Sequence, residues 1–208
     1  MPTRLTRSFF RRDPVTLATS LLGQRLIRIL NDGTRLTARI VEVEAYLGVA
    51  DRACHSYVGR RTPRNQNMYL DGGHAYVYFT YGMHWCMNIV SDTTDTPTAC
   101  LIRALEPIDG IRWMRKHRQR DRETDLCSGP AKLTQALAID RSLDGIDLTR
   151  DHRLWIEADA TVPPTRIITT PRIGINGAGS WTRRALRFFI RDNPHVSARR
   201  TGISRRRV

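Results

Sequence analysis

The chain has 208 residues and a mass of 23.8 kDa, and its 34 lysines and arginines against 20 aspartates and glutamates give a formal net charge of +14 and a pI near 10.8. This length suits a single domain with one sizeable core, and the positive charge favours a polyanionic partner, nucleic acid first. No apolar run approaches the ~20 residues of a membrane span and the N-terminus lacks a signal-peptide core, so we expect no membrane contact and a location in the cytoplasm, with the bacterial nucleoid, or in a eukaryotic nucleus.

The predicted elements are a few short helices and a series of strands. Asp13 followed by Pro14 is typical of a helix start, because aspartate caps free N–H groups and proline suits the first helical position. Hairpin turns are predicted at 31–33 and 81–83, which implies a mainly antiparallel sheet. The predicted helices span 14–22, 108–117 and 130–139. The predicted strands span 25–30, 35–46, 75–81, 84–90, 99–105, 154–157, 166–175 and 186–190.

Three further segments lie outside these elements. The polar segment 48–73 is too long for an idle connection and is expected to lie over a functional site. The ends carry arginine clusters without periodicity, so we expect a partly mobile basic segment at 1–12 and a mobile basic tail at 198–208 that contact phosphates. Residues 13–197 are expected to form the single domain, since the sequence contains no internal repeat and no domain-scale linker.

One strand carries three polar groups on the same face. Alternation within the stretch RIVEVEAY at 39–46 places Glu42, Glu44 and Tyr46 on one face. The opposite face receives Val41, Val43 and Ala45. Carboxylates in a basic protein repel the phosphates that the remaining surface attracts, and a catalytic base would explain their presence. Pairing with nearby arginines on a solvated strand face is an equally good explanation.

The hairpin at 75–90 has an aromatic character and an unusual tip. Tyr76 and Tyr78 share one face, either as a stacking wall or as ordinary strand residues. The other face of this strand, with Ala75, Val77 and Phe79, is predicted to be core. Tyr81 and Met83 lie at the turn, where short polar residues are usual.

Two polar side chains interrupt apolar strands. Asn88 projects opposite the apolar face formed by its neighbours and either satisfies backbone groups or reads the edge of a base. Arg103 lies among leucines and isoleucines, and an unpaired buried guanidinium is costly, so it must meet an anion. Glu44 is a suitable anion.

Several other chemistries fit the sequence poorly. The four cysteines are Cys54, Cys86, Cys100 and Cys127; they form no CxxC pair and are expected to be buried thiols. No cofactor and no metal site are predicted, because metal-ligand spacings and nucleotide-binding glycine motifs are missing. Lys116 and Lys132 lack the setting of a nucleophilic lysine, so water is the better nucleophile.

The chain closely resembles the mammalian type of alkyladenine (3-methyladenine) DNA glycosylase. The resemblance covers nearly the whole chain, and the motifs occur in the order of the family. They are RIVEVEAY at 39–46, GRRTPRN at 59–65, YVYFTYGMHWCMNI at 76–89, RALEP at 103–107, LCSGPAKL at 126–133 and LRFFIR at 186–191. The resemblance implies a single mixed α+β domain, with a curved antiparallel sheet, surrounding helices and an aromatic hairpin that projects into DNA.

The resemblance also implies an activity and its residues. The expected reaction is hydrolysis of the N-glycosidic bond of alkylated or deaminated purines in duplex DNA. Glu44 then matches the general base that activates water and Arg103 the arginine that helps to hold this water. Tyr46, His55 and Tyr78 match residues that enclose the flipped base, and Asn88 matches the amide that excludes the exocyclic amine of guanine. Tyr81, with Met83 beside it, matches the wedge inserted into the duplex.

The expected partner is double-stranded DNA that contains damaged purines. Charge and loop position predict phosphate contacts for Arg60, Arg61, Arg64 and Lys132, although any of them can be a solvated surface residue. A monomer is expected, since no heptad seam is visible.

Two alternatives remain open from the residues alone. The chain could be a non-catalytic nucleic-acid binder that stacks bases on its tyrosines. It could also be a metal-dependent nuclease that uses Glu42, Glu44 and Asp51.

Overall fold

The computed structural model describes residues 3–197. The helices are α1 (Arg7–Phe10), α2 (Pro14–Leu21), α3 (Ile111–Arg118) and α4 (Pro130–Ala136). The strands are β1 (Arg25–Ile29), β2 (Arg35–Tyr46), β3 (Ala75–Thr80), β4 (His84–Ser91), β5 (Thr98–Asp109), β6 (Leu154–Glu157), β7 (Ile167–Thr170) and β8 (Arg187–Ile190). Short turns of 3-10 helix occupy much of the segment between β2 and β3.

The eight strands found within residues 3–197 form one antiparallel sheet. Its main order is β3-β4-β5-β2-β1-β6, and β8 pairs with both β2 and β7. Together with the helices it forms the single α+β domain with a curved antiparallel sheet that the resemblance implied. Within residues 3–197, none of the helices is long and apolar enough to cross a membrane.

The first long helix forms where its sequence predicts. The Asp13 carboxylate accepts the N–H groups of Val15 and Thr16 at 3.0 Å each, and Pro14 occupies the first turn, where no donor is needed. Leu17 and Leu21 are fully buried, so the apolar stripe of α2 faces the sheet. The prediction of this helix is confirmed to within one residue at its end.

The two longest strands change face halfway along their length. Near the middle of the pairing of β2 with β5, all of it within the described residues, Val41 and Arg103 have no opposite residue, and a third irregularity leaves out Ile108 near the end of β5. Such a bulge shifts the alternation of side chains by one position. On β2 the core receives Leu36, Ala38 and Ile40 before the bulge, and Val43 and Ala45 after it. The bulge therefore allows the second half of β2 to direct Glu42 and Glu44 away from the main core without exposing the apolar residues of the first half.

The long segment 48–73 packs onto the sheet instead of extending into solvent. Its Cys54, Met68 and Tyr69 form a second, smaller core cluster with Tyr76 and neighbouring strand residues. The Asn65 side-chain amide donates to the carbonyl oxygens of His55 and Arg60, at 3.0 and 2.9 Å. These bonds fix the conformation of the segment itself, whereas the shared cluster packs it against one face of the sheet.

Several sequence-based boundaries are wrong. β5 continues to Asp109, so the helix predicted at 108–117 begins only at Ile111. The helix predicted at 130–139 ends at Ala136. The strand predicted at 166–175 is limited to Ile167–Thr170, because the residues that follow leave the sheet. Phe79, predicted to be core, is 44% exposed and packs beside Trp85 near the hairpin tip.

The N-terminal segment differs from the expectation of a partly mobile arm. Over its described part it packs on the sheet, where the Leu5 N–H donates to the carbonyl of Ile156 at 2.9 Å and Phe10 is fully buried. Apolar residues between the arginines cause this packing. The basic tail predicted at 198–208 lies outside the described residues. All four cysteines are buried free thiols, as predicted.

Candidate active site

A cleft of about 860 Å³ opens where the segment 48–73, the β3–β4 hairpin and residues 173–176 meet. This volume is in the usual range for a site that encloses a small organic group. The cleft is lined by six residues that the sequence singled out for the reaction centre, for the base pocket or for stacking. They are Tyr46, His55, Tyr76, Tyr78, Asn88 and Arg103.

Aromatic rings form one wall of the cleft. Tyr76 and Tyr78 stack with their centroids 5.3 Å apart, and His55 meets Tyr78 edge-on at 4.7 Å. The His55 Nδ1 lies 2.8 Å from the Tyr76 hydroxyl oxygen. Burial, and secondarily the charge of Arg64, lower the pKa of His55 to about 4. His55 is therefore a neutral ring at pH 7, and the aromatic wall carries no charge.

Glu44 lies beneath the floor of the cleft. Its side chain is fully buried, and the three groups that hold it all belong to residues that line the cleft. Glu44 Oε2 accepts the Tyr46 hydroxyl at 3.0 Å, whereas Oε1 accepts the Ile173 N–H at 2.7 Å and lies 3.2 Å from Arg103 Nη1. The carboxylate is thus fixed in orientation and next to the cleft.

Burial dominates the electrostatics of this carboxylate. Loss of hydration raises the pKa of Glu44, whereas the Arg103 charge and the bonds from Ile173 and Tyr46 oppose the rise. A carboxylate with a raised pKa is a stronger base than one in water. The contacts with the glutamates also offset the cost of burying Arg103. Desolvation lowers the pKa of Arg103, but the charges of Glu44 and Glu42 outweigh this effect and leave its pKa raised.

The second glutamate of the pair, Glu42, is equally buried. Its Oε1 accepts Arg103 Nε at 3.0 Å and Arg187 Nε at 2.6 Å. Ser197 completes the shell, because its hydroxyl donates to Oε1 at 2.8 Å and its N–H to Oε2 at 2.7 Å. The arginine pairing that was one explanation of these glutamates is therefore present, but it is buried beneath a cleft and not on a solvated face.

A separate ion pair supports the Tyr46 side of the site. The Arg172 guanidinium binds both oxygens of Asp51, at 2.5 and 2.8 Å, and donates to the Ala45 carbonyl at 3.0 Å. Both side chains are fully buried, and the guanidinium lies 4.5 Å from the centre of the Tyr46 ring. Since Ile173 is the next residue, this pair also fixes the N–H that reaches Glu44.

Asn88 satisfies a backbone group, the first of the two roles that the sequence left open. Its amide nitrogen donates to the carbonyl of Tyr76 at 3.1 Å, across the β3–β4 pair. The side chain nevertheless lines the cleft. Its position is thus fixed by the backbone beside the wall of tyrosines.

The hairpin tip is exposed and strained. Tyr81 is 81% and Met83 67% exposed, and both Tyr81 and Gly82 have a positive φ, of 52° and 67°. Glycine or asparagine usually occupies such turn positions, because other side chains are strained there. Tyr81 also borders the cleft, whereas Met83 borders a smaller cavity beside Trp85.

The four basic residues predicted to contact phosphate separate into two pairs. Arg60 and Arg64 line the cleft, and the Arg64 guanidinium donates to the Phe79 carbonyl at 3.0 Å, 5.4 Å from the Tyr78 ring. Arg61 pairs with exposed Asp95 at 3.0 Å, and Lys132 Nζ lies 3.3 Å from the Ser128 hydroxyl. Only the first pair lies at the mouth of the site.

Sequence reasoning missed four contributors. Ile173, Arg172 and Ser197 come from irregular segments whose sequences carry no signal for this location. Arg187 carried the same signal as Arg103, a lone arginine in an apolar strand, and that signal could have identified it. The nuclease alternative requires Asp51 and the two glutamates to bind one metal ion together. Asp51 is instead held by Arg172, whereas the glutamates are held by Arg103 and Arg187. These carboxylates therefore do not form a common set of metal ligands.

Comparison with known proteins gives a consistent result. Residues 8–194 match the family model described as Methylpurine-DNA glycosylase (MPG). The DNA-3-methyladenine glycosylases of Mus musculus and Homo sapiens are each 47% identical to this chain, over 93% and 94% of its length. A putative 3-methyladenine DNA glycosylase of Natranaerobius thermophilus is 44% identical over 93% of the chain.

The relatives differ in length. The matched region spans 61% of the mouse protein and 68% of the human protein, but 98% of the bacterial one. The family match itself extends over most of the chain, from α1 to the segment that follows β8. The chain therefore belongs to the methylpurine-DNA glycosylase family, a family of DNA N-glycosylases.

Proposed function

We propose that this chain is a monofunctional glycosylase for base excision repair that acts as a monomer on double-stranded DNA. It flips alkylated or deaminated purines, of the 3-methyladenine, 7-methylguanine, hypoxanthine and ethenoadenine class, out of the duplex and hydrolyses their N-glycosidic bond. The observation that carries the proposal is the fully buried Glu44, held by Arg103, beneath a cleft with aromatic walls.

The cleft supports recognition of a flipped purine. Extrusion of a base costs a few kcal/mol, and damage that weakens pairing or stacking reduces this amount. Tyr46, Tyr78 and neutral His55 offer ring surfaces for the extruded base. Cationic purines gain further attraction to the tyrosine rings, about 2 kcal/mol at most when water is excluded.

The floor of the cleft supports hydrolysis. A water molecule between Glu44 and the sugar attacks the anomeric carbon, and Glu44 accepts its proton. The bond to the purine nitrogen breaks, and its electron pair leaves with the base. The ionised carboxylate also stabilises the positive charge that develops on the sugar. A cationic purine leaves as a neutral molecule, whereas a neutral lesion also requires protonation of the leaving base.

The arginines at the mouth of the cleft support binding of the backbone. Arg60 and Arg64 border the opening through which a flipped nucleotide enters, so they are the better placed of the four predicted phosphate contacts. Arg61 and Lys132 then contribute to the wider positive surface.

The test is base release from a defined duplex. The protein is incubated with DNA that contains one 1,N6-ethenoadenine or one hypoxanthine, in one sample with a chelator and in a second with Mg²⁺ in its place. The proposed function predicts free base and an intact strand that carries an abasic site. Binding without release would favour a non-catalytic binder, and strand cleavage that the chelator abolishes would favour a nuclease.

Replacing Tyr81 with alanine is expected to slow excision from duplex DNA about tenfold or more, and to slow excision from single-stranded DNA much less. The exposed ring would fill the gap left by the extruded base, and stacking of a base on an aromatic side chain contributes about 1–3 kcal/mol. Single-turnover rates on the two substrates measure this difference. Tyr81→Phe is the matched control and should retain duplex activity; equal losses on both substrates would refute the wedge role.

A further inference from the structure

Glu42 takes no direct part in the proposed reaction, yet it accepts four hydrogen bonds beneath the cleft. It shares the Arg103 guanidinium with Glu44, since Nε points to Glu42 at 3.0 Å and Nη1 to Glu44 at 3.2 Å. A guanidinium is a rigid plane with donors at fixed angles. Whatever fixes its Nε edge therefore also fixes the position of Nη1 against Glu44.

Within residues 3–197, the cluster pairs two carboxylates with two guanidiniums. Glu42 and Glu44 face Arg103 and Arg187, and each of the four side chains is at least nine-tenths buried. The negative charge of Glu42 repels that of Glu44 and so offsets part of the attraction of Arg103. Without Glu42, the positive charges would favour the ionised form of Glu44 more strongly, which makes a weaker base.

We propose that Glu42 is a positioning residue for Glu44. Glu42 holds the guanidinium of Arg103 against Glu44, the candidate base. Its negative charge also limits how strongly this guanidinium favours the ionised form of Glu44. Ser197 belongs to the same arrangement, because its N–H and hydroxyl fix both oxygens of Glu42. This inference rests on the proposed function, since it concerns the base strength of Glu44 in that reaction.

The other titratable groups around Glu44 do not complicate the comparison of variants. Burial raises the pKa of Tyr46 and of Cys86, so both stay protonated at acid pH. Arg172 is paired with Asp51 and lies 4.5 Å from the centre of the Tyr46 ring, so its charge is retained in the wild type and the variants alike. His55, with a pKa of about 4, titrates in wild type and variants alike.

The test is the pH dependence of base release by Glu42→Gln in the full chain. The substrate is a duplex with one 7-methylguanine, whose ring is already cationic, so the leaving base needs no proton. The acid limb is the pH range in which the single-turnover rate falls as Glu44 becomes protonated. We expect this limb to move about one pH unit lower in Glu42→Gln. At pH values above the limb, we expect the rate to fall about tenfold. Affinity for the lesion duplex should change less than about twofold.

Arg187→Gln tests the same idea with the opposite sign. It removes a positive charge from the cluster, so the acid limb should move to higher pH. A purely structural effect of either substitution would lower the amount of active protein without moving the limb. Opposite shifts for the two variants therefore support the inference, and unmoved limbs for both overturn it.

Glu106→Gln is the matched control, because Glu106 also lies on this sheet and binds an arginine, Arg39, but is partly exposed and remote from Glu44. Its rate and limb should equal those of wild type.

If neither cluster variant folds, Ser197→Ala provides a further test, because it keeps all four charges of the cluster. It should slow base release about threefold with affinity for the lesion duplex retained. An unchanged rate would overturn the inference. Wild-type protein that releases no base would refute both proposals, whereas wild-type release with unmoved limbs would refute this one alone.

Discussion

Replacing Glu44 with glutamine is expected to lower the rate of base release by about a thousandfold or more, while binding of lesion-containing DNA changes only a few fold. Glutamine has the same shape, and its amide oxygen can still accept the Ile173 N–H while its NH2 group faces the Tyr46 hydroxyl oxygen, but it cannot take a proton from water or stabilise positive charge on the sugar. General base catalysis alone contributes about 10²–10⁴ in rate, and loss of the charge adds to this. Single-turnover release of 1,N6-ethenoadenine and equilibrium binding to the same duplex measure the two effects.

The Glu106→Gln variant shows whether loss of a glutamate charge from the sheet is enough by itself to slow the reaction. It should release base at the wild-type rate. If Glu44→Gln also excises normally, Glu44 is not the base. If Glu44→Gln loses both DNA binding and excision, Glu44 contributes to binding. In that case, only base release from the lesion-containing duplex distinguishes an enzyme from a binder.

Replacing Arg172 with methionine is expected to lower the free energy of unfolding by about 3–5 kcal/mol, because it leaves the Asp51 carboxylate buried without its cation. Removal of the guanidinium also deletes a hydrogen bond to the Ala45 carbonyl. Urea denaturation followed by circular dichroism measures the change. Base release by the folded fraction should fall as well, since the adjacent Ile173 N–H orients Glu44.

The same substitution at Arg61 is the control. Arg61 also pairs with an aspartate, Asp95, but both side chains are more than half exposed. An exposed pair contributes about 0–1 kcal/mol, so Arg61→Met should hardly change the denaturation midpoint. Equal losses for the two variants would mean that the buried pair contributes no more to stability than a surface pair.

Strand periodicity explains how much of the site could be predicted. Alternation along 39–46 placed Glu42, Glu44 and Tyr46 on one face, and an arginine in an apolar strand had to meet an anion; Arg103 does lie against both glutamates. These inferences are local, or need only one neighbouring strand. The same holds for the helix cap at Asp13 and the hairpin turns.

The bulge between β2 and β5 shows where strict alternation was insufficient. Apolar residues occupy positions 36, 38 and 40 and then 43 and 45, so no single alternation can bury both sets. This conflict in the pattern is a sequence signal for the bulge, although it does not identify the residue of β5 that is displaced. That residue is Arg103, and its displacement is part of what directs it to the glutamates.

Contacts between distant segments could not be predicted from the sequence. Ile173 and Ser197 reach the glutamates through backbone N–H groups, which every residue except proline possesses, so their side chains give no indication. The strand predicted at 166–175 ends at Thr170 for a local reason, because Pro171 has no N–H to donate to a neighbouring strand. Beyond it, Arg172 pairs with buried Asp51, a contact between distant segments that the sequence does not indicate.

The backbone of Tyr81 has a consequence for engineering. A left-handed conformation costs a residue other than glycine about 1–2 kcal/mol, so glycine or asparagine at this turn should make the fold more heat-resistant. Screening variants for thermostability alone would therefore tend to replace the tyrosine. Under the proposed function, the tyrosine is the group that keeps an opened duplex from closing, and this group would be lost. Resistance to heat and competence in repair would then oppose each other at a single position.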